Sequence, residues 1–340
     1  MKKYFISAML SALLFLTGRS AESSPEPVQG TFFAMDTMMD FTIYGESGLI
    51  DQSESLIASL ESLVSVTDTG SELYAINQTG SGTLTGKASS LMEQALEICR
   101  RTDGALDLSI YPIVRAWGFT TGSYQVPDEA EIQALLPLVD YRKIQYDAAT
   151  GTVTVTLPEG MEIDLGSVAK GYAGQLVAQM LREHGVQSAL LNLGGNVQTV
   201  GAKPDGSPWQ IGIKDPQGED AMMVLSVEDQ AVVTSGGYER YFEQDGQTYW
   251  HIMDPSTGHP ADSGLISVTI VGDEGVVCDG LSTALFVMGL EKAADLWAQS
   301  GDFEAVFVTA SGEVYITEGL RDRFALTEQY ADTPVSVIER

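Results

Sequence analysis

The sequence predicts an α+β protein with mixed sheets and packed helices. Helical and strand-like patterns interleave along the chain without the strict strand–helix alternation of a parallel sheet. Apolar residues make up 44% of the 340 positions and charged residues 19%, which is the balance of a globular chain with a sizeable core. No repeat or linker interrupts this pattern, so we expect one folded unit over residues 31–340.

The first half of the chain opens with a strand and two amphipathic helices. Strand 35–44 places Phe41 and Ile43 on one side of an alternating pattern. Apolar residues then recur every three or four positions over 49–64, and again over 89–102, which predicts two helices with one apolar face each. The elements expected next are a short helix at 131–136, a strand at 153–157 and a helix at 168–184 that ends before a glycine.

The second half is richer in strands. Short runs of alternating or continuous apolar residues, bounded by turn residues, predict extended segments, and the closing pair is joined by a Ser-Gly turn. The predicted strands are 188–193, 209–214, 223–227, 231–234, 265–271, 305–309 and 314–317, and the predicted helices are 279–290 and 291–299.

The composition excludes several classes of function. Eighteen Lys and Arg against 47 Asp and Glu give a net charge of −29, so the basic patches that bind nucleic acid or anionic membranes are missing. Cys99 and Cys278 are too few and too far apart for a disulfide scaffold or a cysteine zinc site, although one bridge remains open. Cys99 lies on the apolar face of its predicted helix, which indicates a core thiol.

The N-terminus has the features of an export signal. Lys2 and Lys3 precede an apolar stretch at 6–16 that is too short for a permanent membrane span. We expect residues 1–20 to be an export signal and residues 21–30 a polar tether. An uncleaved helix that stays inserted in the membrane is the alternative.

A lipid anchor is not predicted. Leu16-Thr17-Gly18 would complete a bacterial lipobox if Cys followed, but position 19 is Arg19, which offers no thiol to acylate. The expected location is therefore extracytoplasmic, at the outer face of the cytoplasmic membrane or in the periplasm.

A glycine-containing segment around Lys170 suggests an anion site. Asp164 and Lys170 flank the entry to the predicted helix at 168–184. A helix N-terminus carries unpaired N–H groups and a partial positive charge, and a lysine on its first turn adds a full one. The segment therefore indicates a phosphate or anion site; a capped helix with a solvated lysine is the alternative.

Two further segments turn through paired glycines. Asn192-Leu193-Gly194-Gly195-Asn196 ends a strand, and Thr234-Ser235-Gly236-Gly237-Tyr238-Glu239-Arg240 has the same form with added hydroxyls. Glycine lets a backbone approach a ligand closely. Each segment fits a binding loop or a plain tight turn equally well.

His251 is a candidate general base. It follows an aromatic strand and precedes a turn at 254–258, and it is one of only three histidines. A neutral imidazole is the usual base near pH 7, although a lone histidine is more often structural. His184, near a predicted helix C-terminus, and His259, in the turn, need no catalytic explanation.

Asp279 and Thr283 are candidate ligands for Mg²⁺. They lie four positions apart in a predicted helix, so their oxygens share one face. A carboxylate and a hydroxyl are hard oxygen ligands, which suit Mg²⁺ together with substrate phosphates. An N-terminal Asp cap with a back-bonded Thr is the alternative.

In order, these segments resemble the ApbE family of exported FAD:protein FMN transferases, once described as thiamine biosynthesis lipoproteins. The matching segments are Asp164…Lys170-Gly171, Asn192-Leu193-Gly194-Gly195, Ser235-Gly236, His251…Asp254-Pro255…Gly258…Pro260 and Asp279…Thr283-Ala284. Upstream matches are Met35-Asp36-Thr37, Gly104-Ala105-Leu106-Asp107 and Trp117-Gly118-Phe119, so the resemblance covers about residues 30–320. Each motif is weak alone, but their joint order and spacing are specific.

The resemblance implies a fold, an activity and partners. The fold would be an ApbE-like, T-fold-related single catalytic unit. The activity would be Mg²⁺-dependent transfer of FMN from FAD to a Thr or Ser hydroxyl of an exported acceptor protein, with release of AMP. The expected acceptor is an electron-transfer subunit, and some family members instead hydrolyse FAD to FMN and AMP. Charge neutralisation at a pyrophosphate and a base for the hydroxyl are what this chemistry needs.

The resemblance also implies residue roles. Asp279, Thr283 and an oxygen of Ser167 would hold Mg²⁺, and His251 would be the base. The residues expected along FAD are Met35, Tyr74, Ala105, Leu106, Asp107, Asp164, Lys170, Gly194, Gly195 and Ser235.

This chain departs from the family pattern at three positions. Many relatives have Gly where this chain has Asp36, which leaves the local backbone conformation open. Some have a second Asp where this chain has Val276, which predicts weaker metal binding, and Arg19 replaces the lipobox Cys. Two alternative functions remain at this point: an FAD pyrophosphatase, and a flavin-binding surface protein without turnover.

Overall fold

The computed structural model describes residues 26–340. The predicted export signal at 1–20 and residues 21–25 of the predicted tether lie outside the described residues. The end of the predicted tether, residues 28–30, belongs to the first strand. In the described chain, no helix has both the length and the apolar character needed to cross a membrane.

Eight α-helices form within residues 26–340. They are α1 (Leu49–Val64), α2 (Glu72–Thr79), α3 (Gly86–Arg101), α4 (Tyr111–Ala116), α5 (Glu129–Leu135), α6 (Gly166–Glu183), α7 (Gly275–Met288) and α8 (Leu290–Gln299). The longer ones bury one apolar stripe each. On α3 that stripe includes Cys99, so the predicted core thiol is confirmed, and both cysteines are buried and free.

The strands are short and mostly antiparallel. They are β1 (Val28–Ala34), β2 (Thr37–Ile43), β3 (Ser81–Thr85), β4 (Gln145–Ala149), β5 (Thr152–Thr156), β6 (Ala189–Leu193), β7 (Asn196–Val200), β8 (Trp209–Lys214), β9 (Ala221–Val227), β10 (Ala231–Gly236), β11 (Tyr241–Gln244), β12 (Gln247–Trp250), β13 (Leu265–Gly272), β14 (Phe303–Thr309), β15 (Val314–Thr317), β16 (Phe324–Leu326) and β17 (Val335–Ile338). Nine of them form a central sheet in the order β1-β2-β6-β7-β10-β13-β14-β15-β17, in which only the pair β15–β17 is parallel.

The central sheet is covered on both faces. One face packs against α1, α6 and α7, and the main hydrophobic core lies between them. On the other face, the small sheet β16-β9-β8 encloses a second core around Met223, Leu225 and Val306. The predicted α+β class with mixed sheets is confirmed.

The expected strand at 35–44 was wrong at its start. Met35 and Asp36 form a two-residue hairpin turn between β1 and β2, with φ angles of 48° and 57°. Asp is one of the few residue types that tolerate positive φ. Two successive residues with positive φ, here Met35 and Asp36, make the tight turn that suits a twisted hairpin. The residue that departs from the family pattern, Asp36, thus adopts a glycine-like conformation.

Helix α7 starts one turn before the predicted position. It begins at Gly275, so Asp279 lies inside the helix and does not cap it. The start is glycine because α6 passes so close: a Cβ atom on Gly171 would lie 2.1 Å from the carbonyl oxygen of Gly275. This contact brings the N-terminal halves of α6 and α7 together.

Candidate active site

Lys170 lies at the centre of the candidate site. It is the fifth residue of α6, just beyond the first turn, where the helix dipole already favours an anion. Its charge acts on three of the predicted site residues: Asp164, His251 and Asp279. Within residues 26–340, no carboxylate lies within ion-pairing distance of Lys170, so its charge is available to a bound anion.

Asp164 sets the entry to α6. Its Oδ1 accepts a hydrogen bond of 2.9 Å from the N–H of Gly166, and its own N–H donates to the carbonyl of Leu108, also at 2.9 Å. Loss of water around the carboxyl raises its pKa, while backbone donors, Arg240 and Lys170 act in the opposite direction. The half-buried carboxyl therefore faces two cations across the site.

The segments expected along FAD meet at Asp164. Asn77, one turn after Tyr74 on α2, exchanges two hydrogen bonds of 2.8 and 2.9 Å with the backbone of Ile163. The Leu108 contact joins Ala105 and its neighbours to the same point. Tyr74 and Ala105 are both half-buried, and each lies three residues before a residue that contacts the Ile163–Asp164 segment.

Leu106 and Asp107 have structural contacts of their own. Leu106 is part of the main core. The Asp107 carboxylate accepts hydrogen bonds from the N–H and hydroxyl of Ser109 at 2.9 and 2.6 Å, and from the N–H of Tyr141 at 2.9 Å. With both carboxylate oxygens engaged, Asp107 shapes the loop, and contact with a ligand would come from backbone atoms.

Two hairpin turns lie side by side at the edge of the site. Met35 belongs to the β1–β2 turn, and Gly194 and Gly195 form the β6–β7 turn with φ angles of 64° and 100°. A Cβ atom on Gly194 would lie 2.0 Å from Thr37 Oγ1, so only glycine permits this approach. Gly195 faces open space, and its N–H donates to Asn192 Oδ1 at 2.9 Å.

Asp279 is a buried carboxylate on α7. Only 6% of the residue is exposed, and Oδ2 accepts a 2.7 Å hydrogen bond from the N–H of Gly171 on α6. Burial raises its pKa, and the charge of Lys170 opposes that shift. Among the ion pairs of the described chain, none includes Asp279.

A cluster of three hydroxyls adjoins Asp279. The Ser235 hydroxyl at the end of β10 lies 2.7 Å from that of Ser282 and 3.2 Å from that of Thr283. Ser282 is not among the predicted site residues, although it stands between two of them in sequence. Ser235 and Thr283, which were predicted from separate segments, are therefore in contact in the structure.

These oxygens fit a hard divalent cation. Buried charges in proteins are paired or coordinate metals, and within residues 26–340 Asp279 has no side chain of opposite sign at ion-pairing distance. Ser167 lies at the second position of α6, and its neighbour Val168 packs against Gly280 of α7. Val276 is fully buried, and residues 26–340 contain no group of three or more acidic, His or Cys side chains suited to a metal. Such an ion would thus have one carboxylate ligand.

His251 follows β12 and is held by a single backbone carbonyl. The carbonyl oxygen of Arg240 accepts from the His251 N–H at 3.0 Å and lies 3.2 Å from Nδ1. Because a carbonyl can only accept, Nδ1 carries the proton and Nε2 carries the lone pair. Burial, with help from Arg240 and Lys170, lowers the pKa of His251 to about 4, so the imidazole is neutral at pH 7.

The other two histidines lie away from this cluster. His184 is the C-cap of α6, as expected, and its Nδ1 lies 2.9 Å from the carbonyl oxygen of Met180. His259 is in the turn after Asp254, and its Nε2 lies 3.2 Å from a Glu129 oxygen.

Phosphoryl transfer can use the groups found here: a lysine near a helix start, a buried carboxylate beside hydroxyls, and a neutral imidazole. The sequence profile of the ApbE family matches residues 35–307. The chain belongs to the ApbE family, and the predicted resemblance is confirmed.

Relatives that match most of this chain carry the name FAD:protein FMN transferase. The chain is 36% identical over 285 residues to an FAD:protein FMN transferase of Klebsiella pneumoniae, covering 82% of this chain and 88% of that protein. It is 34% identical to the Treponema pallidum protein of the same name, covering 81% and 80%. The crystal structure of the ApbE protein of Thermotoga maritima superposes with a TM-score of 0.81 at 31% identity, over 88% of this chain and 99% of that one.

Proposed function

We propose that this protein transfers FMN from FAD to the hydroxyl of a Thr or Ser residue on an exported acceptor protein and releases AMP. The flavin transferase activity is supported by relatives of that name at 36% and 34% identity over most of both chains. The single structural observation that carries the assignment is the 2.7 Å hydrogen bond from the N–H of Gly171, the residue after Lys170, to the buried carboxylate of Asp279.

The chemistry is a displacement at phosphorus. The acceptor hydroxyl oxygen forms a bond to the phosphorus of the FMN half, and the bond from that phosphorus to the bridging oxygen of the pyrophosphate breaks. The bridging oxygen leaves with AMP. The hydroxyl proton passes to Nε2 of His251, whose neutral state and fixed tautomer suit a base. An approaching pyrophosphate favours the charged imidazolium and so increases the basicity of Nε2.

We further propose that Asp279, Thr283 and an oxygen of Ser167 hold Mg²⁺. When bound, the ion would neutralise charge on the phosphoryl oxygens. Lys170 would supply the second positive charge from α6, and the Gly171 N–H would keep the Asp279 carboxylate in its orientation.

FAD would lie among the segments that carry the predicted FAD-binding residues. Met35, Gly194 and Gly195 would approach it from the hairpin turns, Tyr74 and Ala105 to Asp107 would line the flavin or adenine site, and Ser235 would border the phosphates. We place the reaction outside the cytoplasm, and an exported electron-transfer subunit is the acceptor class we expect. We expect no lipid anchor, because Arg19 stands where a lipobox would need Cys.

The test is flavinylation of an acceptor. Incubation of the purified protein with FAD, Mg²⁺ and a purified exported electron-transfer subunit should yield a subunit band that is fluorescent in a denaturing gel. An unlabelled subunit together with free FMN would instead identify an FAD pyrophosphatase. If wild type and His251→Ala both bind FAD and neither turns it over, the protein is a flavin-binding surface protein and the proposal fails.

A further inference from the structure

The Trp117-Gly118-Phe119 segment has no role in the proposed chemistry, yet it packs directly behind His251. Trp117 and Phe119 are buried in a small separate core with Met253. Trp117 Nε1 donates a 2.9 Å hydrogen bond to the carbonyl of Gly258. The centroid of the Phe119 ring lies 6.2 Å from the centroid of the His251 imidazole. The segment therefore holds both the turn after His251 and one face of its ring.

Arg240 connects this segment to His251. Its guanidinium Nη2 donates a 2.7 Å hydrogen bond to the carbonyl of Phe119, a contact that spans 121 residues of sequence. Its own carbonyl accepts from the backbone N–H and faces Nδ1 of His251 at 3.0 and 3.2 Å. The guanidinium of Arg240 thus contacts the buried core, and its backbone carbonyl contacts the His251 imidazole.

The target carbonyl is itself fixed in place. Gly118, just before Phe119, has a φ of +83°, and a Cβ atom there would lie 2.1 Å from the carbonyl oxygen of Ser123. Only glycine can hold this turn, which directs the Phe119 backbone. The anchor for Arg240 is therefore a rigid backbone atom.

We propose that Arg240 is a positioning residue, which fixes the orientation and tautomer of the His251 imidazole through its bond to the Phe119 carbonyl. The inference rests on the proposed role of His251 as base. A carbonyl held at Nδ1 keeps the proton on that nitrogen, so Nε2 is left as the proton acceptor. In other enzymes, too, a group bound to one ring nitrogen orients the histidine that acts as base. Without the guanidinium anchor, the Arg240 carbonyl keeps its contact with residue 251 at the open end of the β11–β12 hairpin but loses its link to the Phe119 backbone, so the end of the hairpin can shift relative to that core.

The charge of Arg240 acts on the same ring. Two charged groups act on His251: Arg240, and Lys170 on α6. The Phe119 ring next to the imidazole is uncharged. Both cations also act on the carboxyl of Asp164. Loss of the Arg240 charge should therefore raise the pKa of His251, whereas loss of the Phe119 bond alone should loosen the tautomer.

The experiment is nitrogen-15 NMR of the histidine side chains in the full mature chain. With three histidines in the sequence, His251 is identified by its absence in His251→Gln. Wild type should show the Nδ1–H tautomer with a pKa of about 4. Arg240→Gln should show mixed tautomers and a higher pKa, and Arg240→Lys should show mixed tautomers with the pKa still low. Arg182→Gln, which removes an exposed arginine paired with Asp229, is the matched control.

Flavinylation kinetics complete the test. Arg240→Lys should lower kcat about tenfold, since small displacements of a catalytic group are costly, and leave the KM for FAD nearly unchanged. A wild-type tautomer in Arg240→Lys overturns the positioning role, whether or not Arg240→Gln folds. Retention of full activity in His251→Gln with mixed tautomers in Arg240→Lys would instead overturn the role of His251 as base and keep the structural assignment.

Discussion

The backbone N–H of Gly171 donates a 2.7 Å hydrogen bond to the carboxylate of Asp279. This bond links α6, which carries Lys170, to α7, which carries Asp279 and Thr283. It forms only because Gly171 and Gly275 let the two helices approach at backbone distance. The spacing between Lys170 and the proposed metal ligands Asp279 and Thr283 thus depends on two glycines.

Gly171→Ala should therefore reduce both stability and activity. The added methyl would lie 2.1 Å from the Gly275 carbonyl oxygen, so α6 and α7 must separate. Overpacking of this kind costs about 1–3 kcal/mol, to be measured by urea unfolding. Gly301→Ala, where a Cβ meets nothing within 4 Å, is the control and should unfold like wild type. An unfolding free energy for Gly171→Ala equal to that of the control would contradict the close packing.

Asp279→Asn should abolish Mg²⁺ binding while the fold is kept. The Asn amide has nearly the size of the carboxylate, but it carries no negative charge and is a weaker ligand for Mg²⁺. We expect a loss of about 100-fold or more in transfer rate, as for removal of other charge-stabilising groups, and no heat of Mg²⁺ binding by calorimetry. Asp295→Asn, on the exposed face of α8, is the matched control. Wild-type Mg²⁺ affinity in Asp279→Asn would place the ion elsewhere.

Lys170→Met should weaken binding of FAD. The substitution keeps the apolar stem and removes a cation that lies near Asp164, His251 and Asp279. A charged hydrogen bond to phosphate is worth about 1.5–3 kcal/mol, so the dissociation constant should rise about 10- to 100-fold. Flavin fluorescence titration without Mg²⁺ measures it, with Lys292→Met on exposed α8 as the control. Equal affinities in the two variants would remove Lys170 from the phosphate site.

His251 should make the folded protein sensitive to acid. Its pKa is about 4 in the folded chain against an ordinary 6.5, so between these values the unfolded state binds a proton that the folded state does not. The unfolding free energy should fall as pH drops from 6.5 through 4, and this contribution should vanish in His251→Gln. Urea unfolding at pH 4.5 and 7.5 checks the difference. The same acid sensitivity in both proteins would show that the pKa of His251 is not depressed.

The sequence predicted the parts of the fold that carry a periodic apolar pattern. Helix α3 buries a regular stripe and was placed within a few residues, whereas α2 buries only Leu73 and Ile76 and shows no such stripe. Strands β11 and β12 form a hairpin with no buried alternation: the sequence indicated β12 only as an aromatic strand before His251, and β11 was not predicted.

Candidate site residues stand out in the sequence where they adjoin a glycine in a polar segment. Lys170 and Asp279 stand out for that reason. The bond from Arg240 to Phe119 depends on residues far apart in sequence, which no local pattern encodes. Arginine is scarce in this chain and Arg240 follows the Ser235–Gly237 turn, so its position was a usable signal.

In the proposed reaction, FMN moves covalently from FAD to an acceptor hydroxyl. Mass spectrometry of a complete reaction with FAD, Mg²⁺ and a purified exported electron-transfer subunit tests it directly. We predict that the subunit gains the mass of one FMN less water on a Thr or Ser residue, with one AMP released per subunit modified. An unmodified subunit with equal amounts of free FMN and AMP would contradict the transferase and identify a hydrolase.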